Sequence, residues 1–347
     1  MSIMQILNLP FNKLIRTMNV NHFFLLLIIF SSLFYSCDET NERILPRISG
    51  KSGELLVVVD SSYWNNKTGE AIQEAFSTTQ VGLPQAEAIF DIIHVPHRAF
   101  ASILQTNRNI ILIEINSEDE PAISIRKDVW SDGQLVVTIL AKNDKNAAEI
   151  IEKNAANLLD YFNEKENERL QKKYKVNKNS KLAKQLEEKL KLSMHIDDLF
   201  YIAKEDTNFI WLRKEYSMGE HPISQGFIIY TYPYDNDSIF NVHQLTAKRN
   251  AITKQHIPGG AEGSYMETYQ EYIPREREIN LKGIYTKELR GLWQMNGDFM
   301  GGPFVSYSMV DEQRNRVITI DGYVYAPKFD KREYLRELQA LALTVSF

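Results

Sequence analysis

Two histidines three residues apart are the first side chains in this sequence that suggest metal chemistry. His94 and His97 stand in the stretch HVPH, and imidazole nitrogens are common zinc ligands. Pro96 lies between them and prevents the helical turn on which residues three apart share a face. Asp91 points to the other face of the strand predicted before Pro96, because side chains alternate along a strand. The sequence therefore predicts no metal site and no cofactor.

Two glycine-rich stretches have the composition of phosphate-binding loops. Such a loop presents backbone N–H groups at a helix N-terminus, usually beside a Lys or Arg. The stretch IPGGAEGS, residues 257–264, instead follows a predicted helix, contains Glu262 and lacks the GK[ST] ending. We interpret it as a helix stop and a loop. If it meets the second stretch, residues 297–303, Gly259 and Gly260 would border a groove.

No pattern in the sequence names a catalytic residue. The G-x-S-x-G elbow of a serine hydrolase is absent. The only cysteine, Cys37, is unavailable as a nucleophile if it is acylated. The paired carboxylates of a glycosidase cannot be identified from spacing alone. The sequence therefore favours a non-enzymatic protein, and an envelope hydrolase of glycan or peptide with an unrecognised site is the alternative.

Aromatic side chains suggest a different chemistry, stacking against a ligand. Three tyrosines alternate around Pro233, and a tryptophan follows in a later aromatic-rich segment. Exposed aromatic rings suit glycan stacking or contact with a protein, whereas most aromatic rings in strands belong to a core. Both interpretations stay open. The candidate binding surface consists of Tyr230, Tyr232, Tyr234, Trp293, Gly259 and Gly260.

Cys37 ends the most apolar stretch of the chain. Residues 23–35 form a largely apolar run of 13 residues, preceded by Lys13, Arg16 and no acidic residue. A membrane span needs about 20 apolar residues, so the run suits the shorter core of a signal peptide. Ser36-Cys37 at its end resembles a bacterial lipobox, in which the cysteine is acylated and the peptide is cut before it. An ordinary secretory signal is the alternative.

The charge balance excludes a general nucleic-acid-binding role. The chain has a formal charge of −5, and without residues 1–37 it carries 38 Lys and Arg against 45 Asp and Glu. A nucleic-acid binder would need a basic footprint. One local exception is the segment 172–191, with eight lysines and two glutamates. We expect it to contact anionic headgroups or an acidic partner, or to be a solvated helical arm.

The hydrophobic pattern predicts an α+β protein of two lobes, with mixed or antiparallel sheets, flanking helices and a helical linker. Apolar runs predict strands at 55–59, 89–95, 109–115 and 134–140 in the first lobe, and at 208–213, 226–232, 303–310 and 316–325 in the second. Helices are predicted from about Thr68, from Asn146, after Ser180, before Lys254 and after Asp330, whose side chain can cap the last one.

The predicted organisation has five regions. They are a signal peptide (1–36), a tether (37–52), an N-terminal α+β lobe (53–144), a helical linker (145–194) and a C-terminal α+β lobe (195–347). With a single cysteine and hence no disulfide, stability must come from hydrophobic cores.

Several stretches together resemble a known family. They are GELLVVV at 53–59, LPQAEAIFD at 83–91, RNII at 108–111 and GYVYAPKFDKR at 322–332. In this order, behind a lipobox, they resemble the Bacteroidota lipoprotein family known as domain of unknown function 4837. The resemblance covers nearly the whole mature chain. It implies an envelope lipoprotein and supplies no catalytic residue, because these motifs carry no assigned chemistry.

The sequence therefore predicts a lipid-anchored cell-envelope protein of the outer membrane that binds or scaffolds a partner. The expected partners are the membrane, through acyl chains on Cys37, and an envelope protein or glycan, but no nucleic acid. The groove between the two lobes is the expected binding site.

Overall fold

A computed structural model of the chain describes residues 44–115, 120–176 and 179–347. Residues 45–347 form one compact unit. The architecture is α+β, as the sequence predicts, with two β-sheets and a long helix that packs into the core of each. The predicted signal peptide and residues 37–43 of the predicted tether, Cys37 included, lie outside the described residues.

The first sheet is a mixed sheet of five strands. They are β1 (Glu54–Val58), β2 (Asp91–Val95), β3 (Asn109–Ile115), β4 (Ala122–Lys127) and β5 (Leu135–Ala141). The strand order is β2-β1-β3-β5-β4, in which all neighbours are parallel except the edge pair β4 and β5. Four residues of β1 are buried, which explains its unbroken Leu and Val run between two parallel neighbours.

Three short helices accompany this sheet: α1 (Ser61–Trp64), α2 (Lys67–Phe76) and α3 (Ser102–Gln105). The inner face predicted for α2 is confirmed, because Ile72 and Phe76 are fully buried. At its first turn the Thr68 hydroxyl donates a hydrogen bond to Asp144 Oδ1 at 2.7 Å. This contact joins α2 to the start of the long helix that begins at Asp144.

The linker consists of two helices, α4 (Asp144–Val176) and α5 (Ser180–Leu190). The first part of α4 packs Ile151 and Phe162 into the core of the first sheet. Its last turns pack Tyr174 into the core of the second sheet. The Asn179 side chain caps α5 by accepting from the Leu182 N–H at 3.0 Å. The leucine stripe predicted for α5 is buried: Leu182, Leu186 and Leu190.

A buried carboxylate fixes α4 against the first sheet. Glu166 is fully buried, and it accepts a hydrogen bond from Asn109 Nδ2 at 2.8 Å. Its oxygens also pair with the guanidinium groups of Arg108 and Arg169, at 2.9 and 2.8 Å. Burial lowers the pKa of Arg169 to about 10 despite the partly compensating charge of Glu166. Two cations and one amide thus satisfy a charge that burial alone would make costly.

The second sheet is antiparallel and has eight strands. They are β6 (Tyr201–Asp206), β7 (Phe209–Met218), β8 (His221–Pro233), β9 (Tyr265–Thr268), β10 (Arg275–Leu281), β11 (Ile284–Asn296), β12 (Gly301–Asp311) and β13 (Arg316–Tyr325). The order is β10-β11-β12-β13-β8-β7-β6, with β9 also paired to β11. Lys282 and Gly283 both have positive φ, which is the backbone that a two-residue hairpin turn requires.

Two helices cover opposite faces of the second sheet. Residues of β7 and β8 alternate between two separate cores. Helix α6 (Val242–His256) covers one core through Leu245, and α7 (Arg332–Ala342) covers the other. Under α6, Arg249 Nε donates to Asp321 Oδ2 at 2.8 Å, and both side chains are almost fully buried. This buried ion pair holds α6 against β13.

The N-terminus of α7 is capped from the other half of the molecule. The sequence predicts Asp330 as its cap, but the N-cap residue is Lys331, and no side-chain cap comes from the helix's own segment. Instead the buried Glu87 carboxylate accepts from the backbone N–H groups of Lys331 and Arg332, at 2.8 and 2.7 Å. Sequence-local rules miss this cap because the carboxylate is supplied by a distant loop.

Candidate functional site

A cleft of about 370 Å³ lies between the two sheets. Its apolar lining consists of Val81 and Ile89, from the loop before β2, and Leu159 of α4. Four arginines provide the basic part of the lining: Arg275, Arg277, Arg290 and Arg336. The cleft therefore joins an apolar surface to a set of guanidinium groups, a combination that suits a ligand with an anionic end and an apolar body.

Two of these arginines lie on β10, the edge strand. Side chains two apart on a strand share a face, so Arg275 and Arg277 point the same way. The Arg277 guanidinium binds both carboxylate oxygens of Asp160 on α4, each at 3.0 Å. Arg275 is exposed, and its side chain makes no hydrogen bond or ion pair within the described part of the chain. Its guanidinium is free to bind an incoming anion.

The third arginine is held rigidly on β11. Arg290 Nε donates to Glu288 at 2.8 Å, and its Nη2 donates to Glu288 and to Gln339 of α7. Tyr307 also donates to Glu288, at 2.9 Å. Burial would raise the pKa of Glu288, but the adjacent Arg290 charge holds that pKa below its ordinary value. Glu288 thus stays ionised and fixes the orientation of Arg290.

The fourth arginine joins the cleft to the first sheet. Arg336 on α7 is buried, and its guanidinium lies 5.3 Å from the centre of the Phe90 ring. It donates one hydrogen bond to the Ile89 carbonyl at 3.0 Å and another to Glu333. Cation–π contact and two hydrogen bonds therefore fix this group before any ligand arrives.

Gly82 allows the wall of the cleft to approach β11 closely. It has a φ of +81°, and its N–H donates to the Tyr272 hydroxyl at 3.1 Å. A Cβ at this position would lie 3.0 Å from the Cβ of Arg290. A larger residue would therefore be strained both in its backbone and in its contact with the strand.

The charged side chains of this cleft are guanidinium groups and carboxylates. Among the described residues that line it there is no Ser, Thr, Cys, His, Lys or Tyr. Two of its three carboxylates, Asp160 and Glu288, are paired to arginines of the cleft, and Glu276 pairs with Lys287 at 3.4 Å. Paired carboxylates of this kind are poor general acids.

A second concavity, of about 380 Å³, contains a cluster of titratable groups. Lys214 Nζ contacts Asp197 at 2.8 Å and Glu337 at 2.7 Å, and the Tyr174 hydroxyl donates to Glu337. Burial would raise the pKa of Asp197, but hydrogen bonds from Lys214 and from the adjacent Asp198 hold it low. The same contact with Asp197 raises the pKa of Asp198. Two neighbouring carboxyl groups thus have pKa values displaced in opposite directions, a pattern common at acid–base sites.

Three of the four aromatic residues singled out by the sequence belong to a core. Tyr230, Tyr232 and Trp293 are buried between α6 and the second sheet. The Trp293 indole N–H donates to the Val324 carbonyl at 3.2 Å, and burial raises the pKa of Tyr232 to about 12. Their rings stabilise the fold and are not exposed for stacking on a ligand.

Tyr234 lies at a surface concavity of about 700 Å³, where its hydroxyl donates to Asp237. Two further aromatic rings, Phe240 and Tyr285, meet there edge to face with their centres 5.5 Å apart. The aromatic contact with a glycan remains a prediction, and this concavity is where such a contact would form.

The two glycine loops do meet in space. A Cβ on Gly260 would lie 3.5 Å from the Asp298 carboxylate, and one on Gly297 would lie 3.5 Å from Ser264 Cβ. Gly259 is crowded by Ser264, since a Cβ there would lie 2.3 Å from its hydroxyl. The glycines permit this close packing of two loops, and a binding role for Gly259 and Gly260 stays a prediction.

The two histidines bind backbone carbonyls. His94 Nε2 lies 2.9 Å from the Val59 carbonyl, and its ring stacks on Trp64 with centres 4.4 Å apart. His97 Nε2 lies 2.9 Å from the Ile113 carbonyl. In the described ranges no three His, Cys, Asp or Glu side chains are grouped closely enough to hold a metal ion. Among the same residues, no helix has the length and apolar character needed to cross a membrane.

Comparison with known proteins separates the chain into two parts. Residues 179–344 match the family model of a domain of unknown function, DUF4837. Residues 49–175 match another domain of unknown function, DUF8532. The resemblance expected to span nearly the whole mature chain is therefore supported for the second part. The first part, which holds some of the motifs, matches a different family model.

The structural and curated comparisons add little. One similar solved structure is that of LpqN, described as involved in cell envelope biogenesis of Mycobacterium tuberculosis, at 12% identity. The match covers 45% of this chain and 82% of LpqN, with a TM-score of 0.27, which is too low to establish a shared fold. No curated protein matches this sequence.

Sequence reasoning missed the arginines of the cleft. A usable signal was present in the stretch PREREINLKGIY, residues 274–285. Alternating Arg and Glu at period two predicts a strand with its arginines on one face, and Lys282-Gly283 marks a two-residue turn. The positions of Arg290 and Arg336 carried no such signal, because they reach the cleft only through the packing of β11 and α7.

Proposed function

We propose that this protein is a lipid-anchored cell-envelope protein that binds an anionic ligand in the cleft between its two sheets and catalyses no reaction. The free guanidinium of Arg275 beside an apolar wall is the observation that carries the proposal. The other three guanidinium groups are oriented in advance by Asp160, Glu288 and Glu333. Preorganised groups lose less entropy on binding, so more of the interaction energy becomes affinity.

The ligand class follows from the lining. A carboxylate or phosphate matches the fork of Arg275, and a short apolar body fits against Val81, Ile89 and Leu159. A peptide that ends in an apolar residue with a free carboxylate has both parts. We therefore propose the C-terminus of an envelope protein as the ligand.

The test compares a peptide ending in a free leucine carboxylate with the same peptide amidated. We expect the peptide with the free carboxylate to bind. The amidated peptide should bind at least about ten-fold more weakly, because a charge-assisted hydrogen bond is lost. Arg275→Gln is expected to weaken the binding of the peptide with the free carboxylate by a similar factor. Arg126→Gln is the matched control, since Arg126 is an exposed strand arginine outside the cleft. Equal calorimetric affinities for the two peptides would exclude this ligand.

The anchor forms the second part of the proposal. Cleavage before Cys37 and acylation of its sulfur would hold the protein on a membrane of the envelope, for which we propose the outer membrane. Two or three acyl chains suffice for stable anchoring, whereas one does not. The intact mass of protein purified from its own membranes tests this: we expect a mature N-terminus at Cys37 with two or three acyl chains. An unmodified N-terminus would refute the lipid anchor but would not affect the proposal that the cleft binds an anionic ligand.

An envelope hydrolase is the second candidate, and the Asp197, Asp198, Lys214 and Glu337 cluster favours it. A hydrolase of glycan or peptide would lose activity on cell-wall fragments when Asp198→Asn removes the carboxyl group with the raised pKa. Asp235→Asn, another exposed carboxylate, is the control. Absence of turnover by the unsubstituted protein would reject this candidate.

A further inference from the structure

The lysine-rich segment 172–191 is here called the basic arm. Its described residues are the last five residues of α4, Asn179, the whole of α5 and Lys191, which follows α5. Leu182, Leu186 and Leu190 attach α5 to the core of the second sheet. The described lysines of the arm are exposed, except for the half-buried Lys189. The arm carries eight lysines and two glutamates on a chain whose net charge is negative.

Part of this charge is neutralised locally. Lys184 pairs with Glu188 at 3.6 Å, and Lys189 pairs with Glu205 at 3.3 Å. In contrast, Lys175, Lys181 and Lys191 are exposed and make no ion pair within the described ranges. Three ammonium groups are therefore available to an external anionic surface.

An exposed apolar side chain lies among the lysines at the end of α4. Val176 follows Lys175 directly and is 80% exposed. Apolar side chains flanked by lysines are typical of protein surfaces that lie in a lipid headgroup layer.

The chain leaves the folded unit beside this arm. The Pro46 carbonyl accepts a hydrogen bond from the Asp132 N–H at 2.9 Å, and Arg47 forms a β-bridge with the same residue. The Asp132 carboxylate in turn holds Lys172, the first lysine of the arm, at 3.2 Å. Any force or restraint that acts through the tether is thus applied at the start of the basic arm.

Chain length then limits how far the arm can be from an anchored Cys37. Eight peptide steps lead from Cys37 to Leu45, and even a fully extended chain of that length spans less than about 30 Å. Attraction between exposed charges decays over about 8–10 Å at physiological salt. A short tether therefore keeps the start of the arm within about 30 Å of the membrane, so its effective concentration at that surface is high.

We propose that the basic arm docks onto the anionic lipid headgroups of the membrane that holds the acyl chains of Cys37. The free lysines contact the headgroups and Val176 enters the layer between them. Docking fixes the orientation of the folded unit relative to the membrane instead of leaving it to rotate on its tether. This inference rests on the lipid anchor of the proposed function.

The test uses the full-length protein purified from its own membranes and reconstituted into two kinds of vesicle. One kind contains only zwitterionic phosphatidylcholine, and the other contains about 30% anionic phosphatidylglycerol. Brief acetylation followed by mass spectrometry measures the reactivity of each lysine. We expect Lys175, Lys181 and Lys191 to react at least about three-fold more slowly on the anionic vesicles, and this protection to fall at high salt.

A variant and a matched control separate docking from general effects. Lys172 and Lys173 lie in the same arm and should also react more slowly on the anionic vesicles. The triple change Lys175→Gln, Lys181→Gln and Lys191→Gln is expected to abolish that protection. The control changes three exposed and unpaired lysines elsewhere, Lys67, Lys153 and Lys328, to Gln. It should leave the protection intact. Circular dichroism of both variants verifies that they are folded.

The intact mass of the same sample separates this inference from the proposed anchor. An acylated protein whose arm lysines react equally on both vesicles would overturn the docking and retain the anchor. A protein without acyl chains that still shows protected arm lysines would overturn the anchor and, with it, docking beside the anchor, and would show that the arm binds anionic lipid by itself. Loss of both would overturn both.

Discussion

At the scale of single residues, Glu87 illustrates how one side chain joins distant parts of the chain. Its carboxylate accepts two backbone hydrogen bonds at the start of α7, 244 residues or more away in sequence. Helix N-termini present unsatisfied N–H groups, and a carboxylate there also interacts favourably with the helix dipole. Glu87 therefore stabilises α7 and holds the loop before β2 in place.

Replacing this carboxylate should lower stability measurably. Glu87→Ala leaves two buried N–H groups without an acceptor, and we expect the free energy of unfolding to fall by about 1–2 kcal/mol. Urea denaturation followed by circular dichroism measures the change. Glu74→Ala, an exposed position on α2, serves as the control and should be near neutral. If both variants unfold at the same urea concentration, the cap contributes nothing.

Residue roles were the least predictable part of this protein. The alternation of Tyr230, Tyr232 and Tyr234 identifies a strand, yet it does not reveal that α6 covers the face on which Tyr230 and Tyr232 lie. Asp330 has the right type and spacing for a cap, but Glu87 occupies the site by tertiary packing. Burial and long-range pairing decide both cases, and neither is encoded in a local pattern.

At the scale of elements, α4 is the part that both cores share. Its 33 residues begin in the core of the first sheet and end in that of the second. The sequence predicted an amphipathic helix from Asn146 that runs into a polar stretch. The structure continues that helix to Val176, because buried partners satisfy its polar residues, above all Glu166. Strands β4, β6 and β10 were missed since their residues are mostly exposed and lack strong apolar alternation. Strands β9 and β11 were missed as well, although most of their residues are buried, because polar residues such as Glu267, Lys287 and Glu288 interrupt their apolar pattern.

The Glu166 network should dominate the stability of α4. Glu166→Gln leaves Arg108 and Arg169 without their buried countercharge, and we expect a loss of about 3 kcal/mol in the free energy of unfolding. Glu164→Gln changes an exposed glutamate on the same helix and should alter stability by less than about 0.5 kcal/mol. Parallel guanidinium titrations of the two variants give the comparison. A small effect of Glu166→Gln would mean that water reaches the two guanidinium groups.

At the scale of the whole molecule, charged side chains clamp α7 to the first sheet. Arg332 pairs with Asp91 of β2 at 2.7 Å and with its neighbour Glu333, also at 2.7 Å. The hydrogen bond from Arg332 holds the pKa of Asp91 below its ordinary value. Because the folded state lowers this pKa, ionised Asp91 is stabilising. That contribution is complete above the unfolded pKa of about 4 and is lost as pH falls through the folded pKa.

The pH dependence of the free energy of unfolding in acid should reveal the contribution of the Arg332–Asp91 ion pair. At pH 7 we expect Asp91→Asn to lower the free energy of unfolding by up to about 1 kcal/mol, since the carboxylate is partly screened by solvent. The difference from the unsubstituted protein should shrink as pH falls below 4 and the aspartate is protonated. Thermal unfolding at a series of pH values measures it. Asp235→Asn provides an exposed control without a partner. A difference that persists unchanged at the lowest pH would point to packing rather than charge.

The long-range cap of α7 also affects the order in which parts of the chain can fold. The loop that holds Glu87 is made before its partners, Lys331 and Arg332, which follow it by 244 residues or more. Contacts so distant in sequence form slowly, because a long loop must close before they contribute. The loop that holds Glu87 therefore lacks its helical partner until α7 has been made, and the first sheet gains the support of α7 only then.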